Sequence, residues 1–214
     1  TVALAQIPRA EGALISLEAK TGAIEALSGG YSFGQSKYNR ATQARRQPGS
    51  TFKPFLYLSA LESGMTPATI YNDAPIVFDD SLYRSRNLVS IRLLRDLGIE
   101  NTLDYLAQLE IPTENMPDDL SLSLGSGQLT PMELARGMAV IANGGYDVEP
   151  YLIDTISDFR GETIYQAPKT ILCDENCDEL AEQATSGMEE GDASADEESS
   201  ETGDQSPDVR VMRR

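Results

Sequence analysis

The uneven distribution of charge is the feature of this sequence that most constrains its fold. Residues 174–204 contain 13 Asp or Glu and no Lys or Arg, in a 214-residue chain with 34 acidic and 17 basic residues. A segment with so much like charge and so few apolar side chains cannot bury enough surface to form a core. The sequence therefore predicts a folded domain over residues 1–172, an acidic, disordered insert or linker over residues 173–209, and the start of a truncated downstream segment at residues 210–214.

The composition restricts the partners that this chain can have. A solvated spacer and an acidic recognition tail both fit the acidic segment. The net charge of −17 argues against a nucleic-acid partner, because the phosphate backbone is itself negative. Cys173 and Cys177 are too few ligands for a structural zinc site in a chain without histidine, so no metal is predicted. A disulfide between the two cysteines would fit an oxidising compartment.

A candidate nucleophile occurs in Ser50-Thr51-Phe52-Lys53. Residues at i and i+3 share a helix face, so the Ser50 hydroxyl and the Lys53 amine can meet. A serine hydroxyl becomes a good nucleophile only when a neighbouring base takes its proton. Because the chain has no histidine, a lysine or a carboxylate must supply that base. The alternative interpretation is an ordinary solvated helix start, since S-x-x-K is a common tetrapeptide.

The residues around this tetrapeptide predict a helix that begins at Ser50. Gln47-Pro48-Gly49 is typical of a turn, and Pro54 falls in the first helical turn, where proline is tolerated. Gly64 is expected to end the helix after Ser63. The positive partial charge at the start of such a helix would favour an oxyanion beside Ser50.

The remaining pattern predicts an α+β fold, with an antiparallel sheet packed by helices. Two alternating apolar segments joined by Lys20-Thr21-Gly22 predict a hairpin over residues 12–29, with Gly22 at positive φ. Thr130-Pro131-Met132-Glu133 predicts a capping box whose helix runs to Ala142. The other predicted elements are helices over residues 87–97 and 101–109 and strands over residues 148–156 and 163–165.

Several longer segments resemble one protein family. They are Gly29-Gly30-Tyr31, residues 39–55 around Gln47-Pro48-Gly49-Ser50, Thr66 to Pro75, Ser85 to Ser90, and Leu129 to Gly137. Together they resemble the transpeptidase domain of class A (bifunctional) penicillin-binding proteins of Gram-negative bacteria, over roughly residues 1–170. The resemblance implies the serine β-lactamase or D,D-peptidase-like fold with a helical lobe, here incomplete at both ends.

The resemblance also implies a catalytic site. The family has three signatures, S-x-x-K, S-D-N and K-T-G. Ser50 and Lys53 match the first, and Ser85-Arg86-Asn87 is a variant of the second. By resemblance, Ser85 relays a proton between Lys53 and the leaving amine, and Asn87 hydrogen-bonds the substrate amide. Alternatively, Ser85 and Asn87 are only turn or cap residues before the next helix.

The third signature is not found in the order that the family has. Lys20-Thr21-Gly22 precedes the nucleophile and lies in the predicted hairpin turn, and no K-T-G follows Asn87. Lys169-Thr170-Ile171 lacks the glycine that allows a strand to approach a ligand closely. The segment between Asp80 and Tyr83 is also shorter than in the family. We therefore expect a partial domain that is a weak enzyme by itself.

The resemblance implies a peptidoglycan D,D-transpeptidase or D-Ala-D-Ala carboxypeptidase. Ser50 would form an acyl-enzyme with stem peptides and would be covalently inhibited by β-lactam antibiotics, with no cofactor. The parent protein would be anchored at the periplasmic face of the bacterial inner membrane, with an upstream glycosyltransferase domain. No run in this chain approaches 18 apolar residues, so no transmembrane segment is predicted within it. The alternatives are a β-lactamase-like serine hydrolase and a non-catalytic fragment that lacks the third signature.

Overall fold

The computed structural model describes residues 6–71, 77–78, 81–82, 88–173 and 209–213. It contains four α-helices, two 3₁₀ helices and eight strands within those ranges. The helices are α1 (Lys53–Glu62), α2 (Leu88–Leu97), α3 (Ile99–Gln108) and α4 (Pro131–Ala142), and the 3₁₀ helices span Gly49–Phe52 and Leu120–Leu124. The strands are β1 (Leu14–Leu17), β2 (Ile24–Ser28), β3 (Val77–Phe78), β4 (Ser81–Leu82), β5 (Thr155–Ser157), β6 (Thr163–Gln166), β7 (Lys169–Cys173) and β8 (Val209–Arg213).

The chain divides into two compact units. One, here the helical unit, comprises Thr1–Ile15 and Leu27–Gly137, and the other comprises Ser16–Ala26 and Met138–Arg214. Within the described residues, no helix is both long and apolar enough to span a bilayer. The predicted acidic linker falls mainly on residues 174–208, which lie outside the described residues, as does Cys177 of the Cys173–Cys177 pair.

The core of the helical unit is formed where α1, α2 and α3 pack against one another and where α1 and α2 pack against the second 3₁₀ helix. Gly98 separates α2 from α3 and has a φ of 85°, a conformation that other residues rarely adopt. Thr102 is fully buried, and its hydroxyl donates a hydrogen bond to the Gly98 carbonyl at 2.9 Å. The largest fully buried apolar side chains of this core are Phe52, Phe55, Leu56, Leu94, Leu106, Ile111 and Leu122.

The predicted hairpin is present, and Lys20-Thr21-Gly22 forms its turn. β1 and β2 pair as a two-stranded sheet, and Gly22 has a φ of 81°. A Cβ at Gly22 would lie 2.5 Å from the carbonyl oxygen of Glu149, so another backbone approaches closely. The Tyr151 amide donates to the Gly22 carbonyl at 3.1 Å. Both a positive φ and a close backbone neighbour therefore require glycine here.

The capping box at the start of α4 is confirmed. The Thr130 amide donates to Glu133 Oε2 at 2.8 Å, and the Glu133 amide donates to Thr130 Oγ1 at 3.1 Å. Pro131 is the first residue of the helix, which ends at Ala142 as predicted. These bonds satisfy two backbone donors that have no acceptor within the helix.

We expect Thr130→Ala to lower the free energy of unfolding by about 1 kcal/mol, because it removes the hydroxyl that accepts a hydrogen bond from the Glu133 amide. The measurement is urea unfolding followed by circular dichroism. Thr42→Ala is the control, since Thr42 is exposed and only its backbone makes a hydrogen bond in the described structure. Equal midpoints for the two variants would contradict the role of the cap.

The strand prediction over residues 148–156 is largely wrong. Only Thr155–Ser157 forms a strand, which pairs antiparallel with β6. Pro150 lacks a backbone N–H and disfavours a continuous ladder in the preceding segment. The turn between the strands is at Arg160-Gly161 as predicted, and the Asp158 carboxylate accepts from the amides of Arg160 and Glu162 at 2.8 and 2.9 Å.

The strands of the described residues pair two by two. Within the described ranges they form four two-stranded sheets. β7 and β8 pair in parallel, with Lys169 opposite Val209 and Cys173 opposite Arg213. A parallel pair needs a long connection, which residues 174–208 provide. β8 also begins one residue before the predicted boundary at residue 210.

Candidate active site

Ser50 lies in the short 3₁₀ helix Gly49–Phe52, and α1 begins only at Lys53. The prediction of an α-helix starting at Ser50 is therefore wrong for its first turn. The Lys53 amide donates to the Ser50 carbonyl. Because a 3₁₀ helix has three residues per turn, side chains at i and i+3 are eclipsed. Ser50 and Lys53 are thus one turn apart on the same face, as the S-x-x-K spacing predicts.

Two buried aromatic rings hold this turn in the core. Phe52 and Phe55 are fully buried, and their ring centroids lie 5.8 Å apart with a tilted geometry. Ser50 is exposed and Lys53 is half-buried. The hydroxyl therefore faces solvent from a backbone that is fixed by its neighbours, which suits a nucleophile.

The segment that leads to Ser50 runs antiparallel to a second segment, residues 125–132, which we call the supporting strip. The two are joined by four backbone hydrogen bonds of 2.9 to 3.1 Å. The Met132 amide donates to the Ala41 carbonyl, and the Gly49 amide donates to the Gly125 carbonyl. Arg46 and Leu129 each donate their amide to the carbonyl of the other. Residues far apart in sequence thereby fix the path of the chain up to Ser50.

An ion pair strengthens the same contact. Arg45 Nη2 lies 2.8 Å from Glu133 Oε1, and Glu133 Oε2 is also the acceptor of the capping box. Both side chains are partly exposed, so the net contribution of the pair is about 1 kcal/mol or less. Its main effect is geometric, because it ties the start of α4 to the residues before Ser50.

Ser85 and Asn87, the other predicted site residues, lie outside the described residues. α2 begins at Leu88, directly after Asn87, and Leu88 is buried. The structure places Ser50 and Lys53 one turn apart, and the catalytic roles of all four residues stay predictions.

Lys20-Thr21-Gly22 is a hairpin turn, as expected for a K-T-G that is not the family's third signature. Both the amide and the hydroxyl of Thr21 donate to Glu18 Oε2 at 2.7 Å. The hydrogen bond from the Thr21 side chain is the main reason that the pKa of Glu18 lies below its usual value. These donors stabilise the turn itself. Lys169-Thr170-Ile171 forms the start of β7.

The sequence of this chain matches the model of the penicillin-binding protein transpeptidase domain over residues 12–84 and 71–211. The chain therefore belongs to the penicillin-binding protein transpeptidase family. Its relatives include penicillin-binding protein 1A of Pseudomonas aeruginosa, 47% identical over 191 residues, which are 78% of this chain and 23% of that protein. Penicillin-binding protein 1A of Escherichia coli K12 is 40% identical over 199 residues, 82% of this chain and 23% of that protein. The chain thus spans 23% of the length of these two relatives.

Solved structures agree with this assignment. The crystal structure of penicillin-binding protein 1A from Haemophilus influenzae matches with a TM-score of 0.71 and 36% identity, over 77% of this chain and 28% of that one. PonA1 from Mycobacterium tuberculosis, in a complex with penicillin V, matches with a TM-score of 0.63 over 72% of this chain and 49% of that one. At 20% identity, the second match supports the fold alone. The predicted serine β-lactamase or D,D-peptidase-like fold class is confirmed.

Proposed function

We propose that this chain is part of a peptidoglycan D,D-transpeptidase that cross-links stem peptides through a serine acyl-enzyme. The observation that carries the proposal is an exposed Ser50 one turn before Lys53, at the 3₁₀ turn that precedes α1, in a chain of the transpeptidase family. A transpeptidase moves an acyl group from one amine to another, and an exposed serine beside a lysine can carry that group between the two steps.

The first step acylates Ser50. Its hydroxyl oxygen attacks the carbonyl carbon of the penultimate D-Ala, while Lys53 accepts the hydroxyl proton. The C–N bond then breaks, and the terminal D-Ala leaves as an amine after gaining a proton. We assign the relay of this proton to Ser85 and a hydrogen bond to the substrate amide to Asn87.

The developing oxyanion needs hydrogen-bond donors. The Ser50 amide lies in the first turn of a helix, where backbone donors have no acceptor within the helix, and we propose it as one of them. In the second step, the amine of another stem peptide attacks the ester. A new amide bond forms, and the Ser50 hydroxyl is regenerated.

This reaction requires no metal or organic cofactor. A β-lactam ring presents a strained amide to the same serine, and its opening leaves a stable ester, so β-lactams should act as covalent inhibitors. We also propose that the parent protein carries an upstream glycosyltransferase domain and is anchored at the periplasmic face of the inner membrane, as the match to proteins of the 1A type suggests.

The test is intact-protein mass spectrometry after prolonged incubation with a penicillin. We expect one adduct on the wild-type chain and none on Ser50→Ala, because Ser50 is exposed and lies one turn before the candidate base Lys53. Thr51→Ala is the matched control, since Thr51 is the neighbouring exposed hydroxyl, and it should retain the adduct.

The same experiment separates the alternatives. Equal adduct on the wild type and Ser50→Ala would refute the assignment of the nucleophile. Rapid loss of the adduct from the wild type would favour a β-lactamase-like hydrolase. Complete absence of an adduct on the wild type would favour a non-catalytic fragment, since this chain has no K-T-G after Asn87.

A further inference from the structure

The backbone of Gly125 touches the backbone directly before Ser50. A Cβ at Gly125 would lie 2.2 Å from the carbonyl oxygen of Gly49 and 2.8 Å from its carbonyl carbon. No side chain can occupy that space. The Gly49 amide also donates to the Gly125 carbonyl at 3.1 Å. Gly125 therefore contacts both the amide and the carbonyl group of Gly49.

Gly125 is itself held in place by the second 3₁₀ helix. It ends that helix in the left-handed conformation, with a φ of 68°, and its amide donates to the Leu122 carbonyl at 2.9 Å. Leu122 is fully buried. The buried Ser123 hydroxyl donates to the Leu120 carbonyl at 2.7 Å. The residues that position Gly125 are thus anchored in the core of the helical unit.

The start of the 3₁₀ helix is also fixed. The Asp119 carboxylate accepts from the Ser121 amide at 2.7 Å. Hydrogen bonds from Ser121, first from its side chain and then from its backbone, keep the pKa of Asp119 below its usual value. The Ser121 and Ser126 hydroxyls are 2.7 Å apart and form a further hydrogen bond across the loop. Hydrogen bonds therefore hold the loop that contains Gly125 at its start and at its end.

The contact with Gly49 bears on catalysis because of peptide planarity. The Gly49 carbonyl and the Ser50 N–H belong to the same planar peptide unit. A displacement of that carbonyl must rotate the Ser50 N–H with it. Gly49 has no side chain that could pack against a neighbour and help to fix this plane, and its φ is 59°.

We propose that Gly125 is a positioning residue for the nucleophile: it fixes the peptide plane that carries the Ser50 N–H and so aims this donor at the oxyanion. The effect on catalysis rests on the proposed function, whereas the fixing of the Gly49–Ser50 peptide plane by Gly125 concerns the folded chain alone. The sequence gives little sign of it, because the contact joins residues far apart in the chain.

The test compares Gly125→Asn with Gly64→Asn. Asparagine tolerates the left-handed conformation better than other residues with a Cβ, so the substitution mainly adds bulk. Gly64 is the matched control, since its φ is 90° and nothing lies within 4 Å of an added Cβ. Circular dichroism and thermal unfolding establish that both variants are folded.

The kinetic measurement uses a fluorescent penicillin at several concentrations, which separates the acylation rate constant from the dissociation constant of the initial complex. We expect Gly125→Asn to acylate about 10²- to 10³-fold more slowly, the usual effect of losing one oxyanion donor. The dissociation constant should change much less, and Gly64→Asn should behave as the wild type. An acylation rate constant equal to that of the wild type in folded Gly125→Asn would overturn the proposal.

The structural measurement is amide hydrogen exchange of ¹⁵N-labelled protein by NMR. The wild-type Gly49 amide should be protected, and Gly125→Asn should lose that protection while the Leu56 amide in α1 keeps its own. Exchange of the wild-type Gly49 amide at the rate of a free peptide would overturn the proposal, even if the variant fails to fold. If no penicillin reacts with the wild type, the proposed function fails, and this measurement still decides whether Gly125 holds Gly49.

Discussion

Replacement of Lys53 by arginine should slow acylation by a penicillin about 10²- to 10⁴-fold, the range typical of a lost general base. Arginine keeps the positive charge and a long side chain, but it does not give up its proton in proteins and so cannot accept one from Ser50. Lys53 is half-buried at the first position of α1, where a longer side chain can extend to solvent, so the fold should survive. Stopped-flow or gel-based acylation with a fluorescent penicillin provides the measurement.

Lys20→Arg is the control for this prediction. Lys20 is exposed and belongs to the hairpin turn Lys20-Thr21-Gly22. This turn has the same three residues as the family's third signature but lies before Ser50 in the chain. We expect Lys20→Arg to acylate at the wild-type rate. If Lys53→Arg also reacts at that rate, Lys53 has a structural role and another group is the base.

Features that depend on neighbouring residues could be predicted from the sequence. Thr130 and Glu133 form a reciprocal cap because they are three residues apart, and Pro131 fits the first position of the helix for the same local reason. The turn at Gly22 also followed from local chemistry, since two alternating apolar segments flank it. The spacing of Ser50 and Lys53 is another local feature, and it led to the candidate nucleophile and its candidate base.

Features that depend on distant residues could not be predicted in this way. The first turn around Ser50 is 3₁₀ rather than α-helical, and its backbone is bonded to Gly125 in a loop far along the chain. The parallel pairing of β7 with β8 joins strands separated by residues 174–208. Neither contact produces a periodic pattern or a characteristic residue spacing in the sequence. Gly125, whose backbone contacts Gly49, was missed for this reason.

Truncation of Phe55 to alanine should lower the free energy of unfolding by about 3–5 kcal/mol, the usual cost of removing a large buried aromatic side chain. Phe55 is fully buried and packs against Phe52. Urea unfolding followed by circular dichroism and tyrosine fluorescence measures the change, since the chain has nine Tyr and no Trp. Phe33→Ala is the control: Phe33 is 75% exposed, so its loss should change stability by about 0.5 kcal/mol or less.

A second substitution locates the space that the Phe55 ring fills. A Cβ at Gly137 in α4 would lie 3.0 Å from Phe55 Cε1 and 2.3 Å from Ile111 Cδ1, so Gly137→Ala alone should cost about 1–3 kcal/mol through overpacking. In the Phe55→Ala background the ring is absent, and the new methyl group partly fills the cavity. The two changes should therefore be coupled by about 0.5–3 kcal/mol, in the direction that makes the double variant more stable than the sum of the single ones predicts. Additive effects would show that the Phe55 ring does not pack against α4 at Gly137.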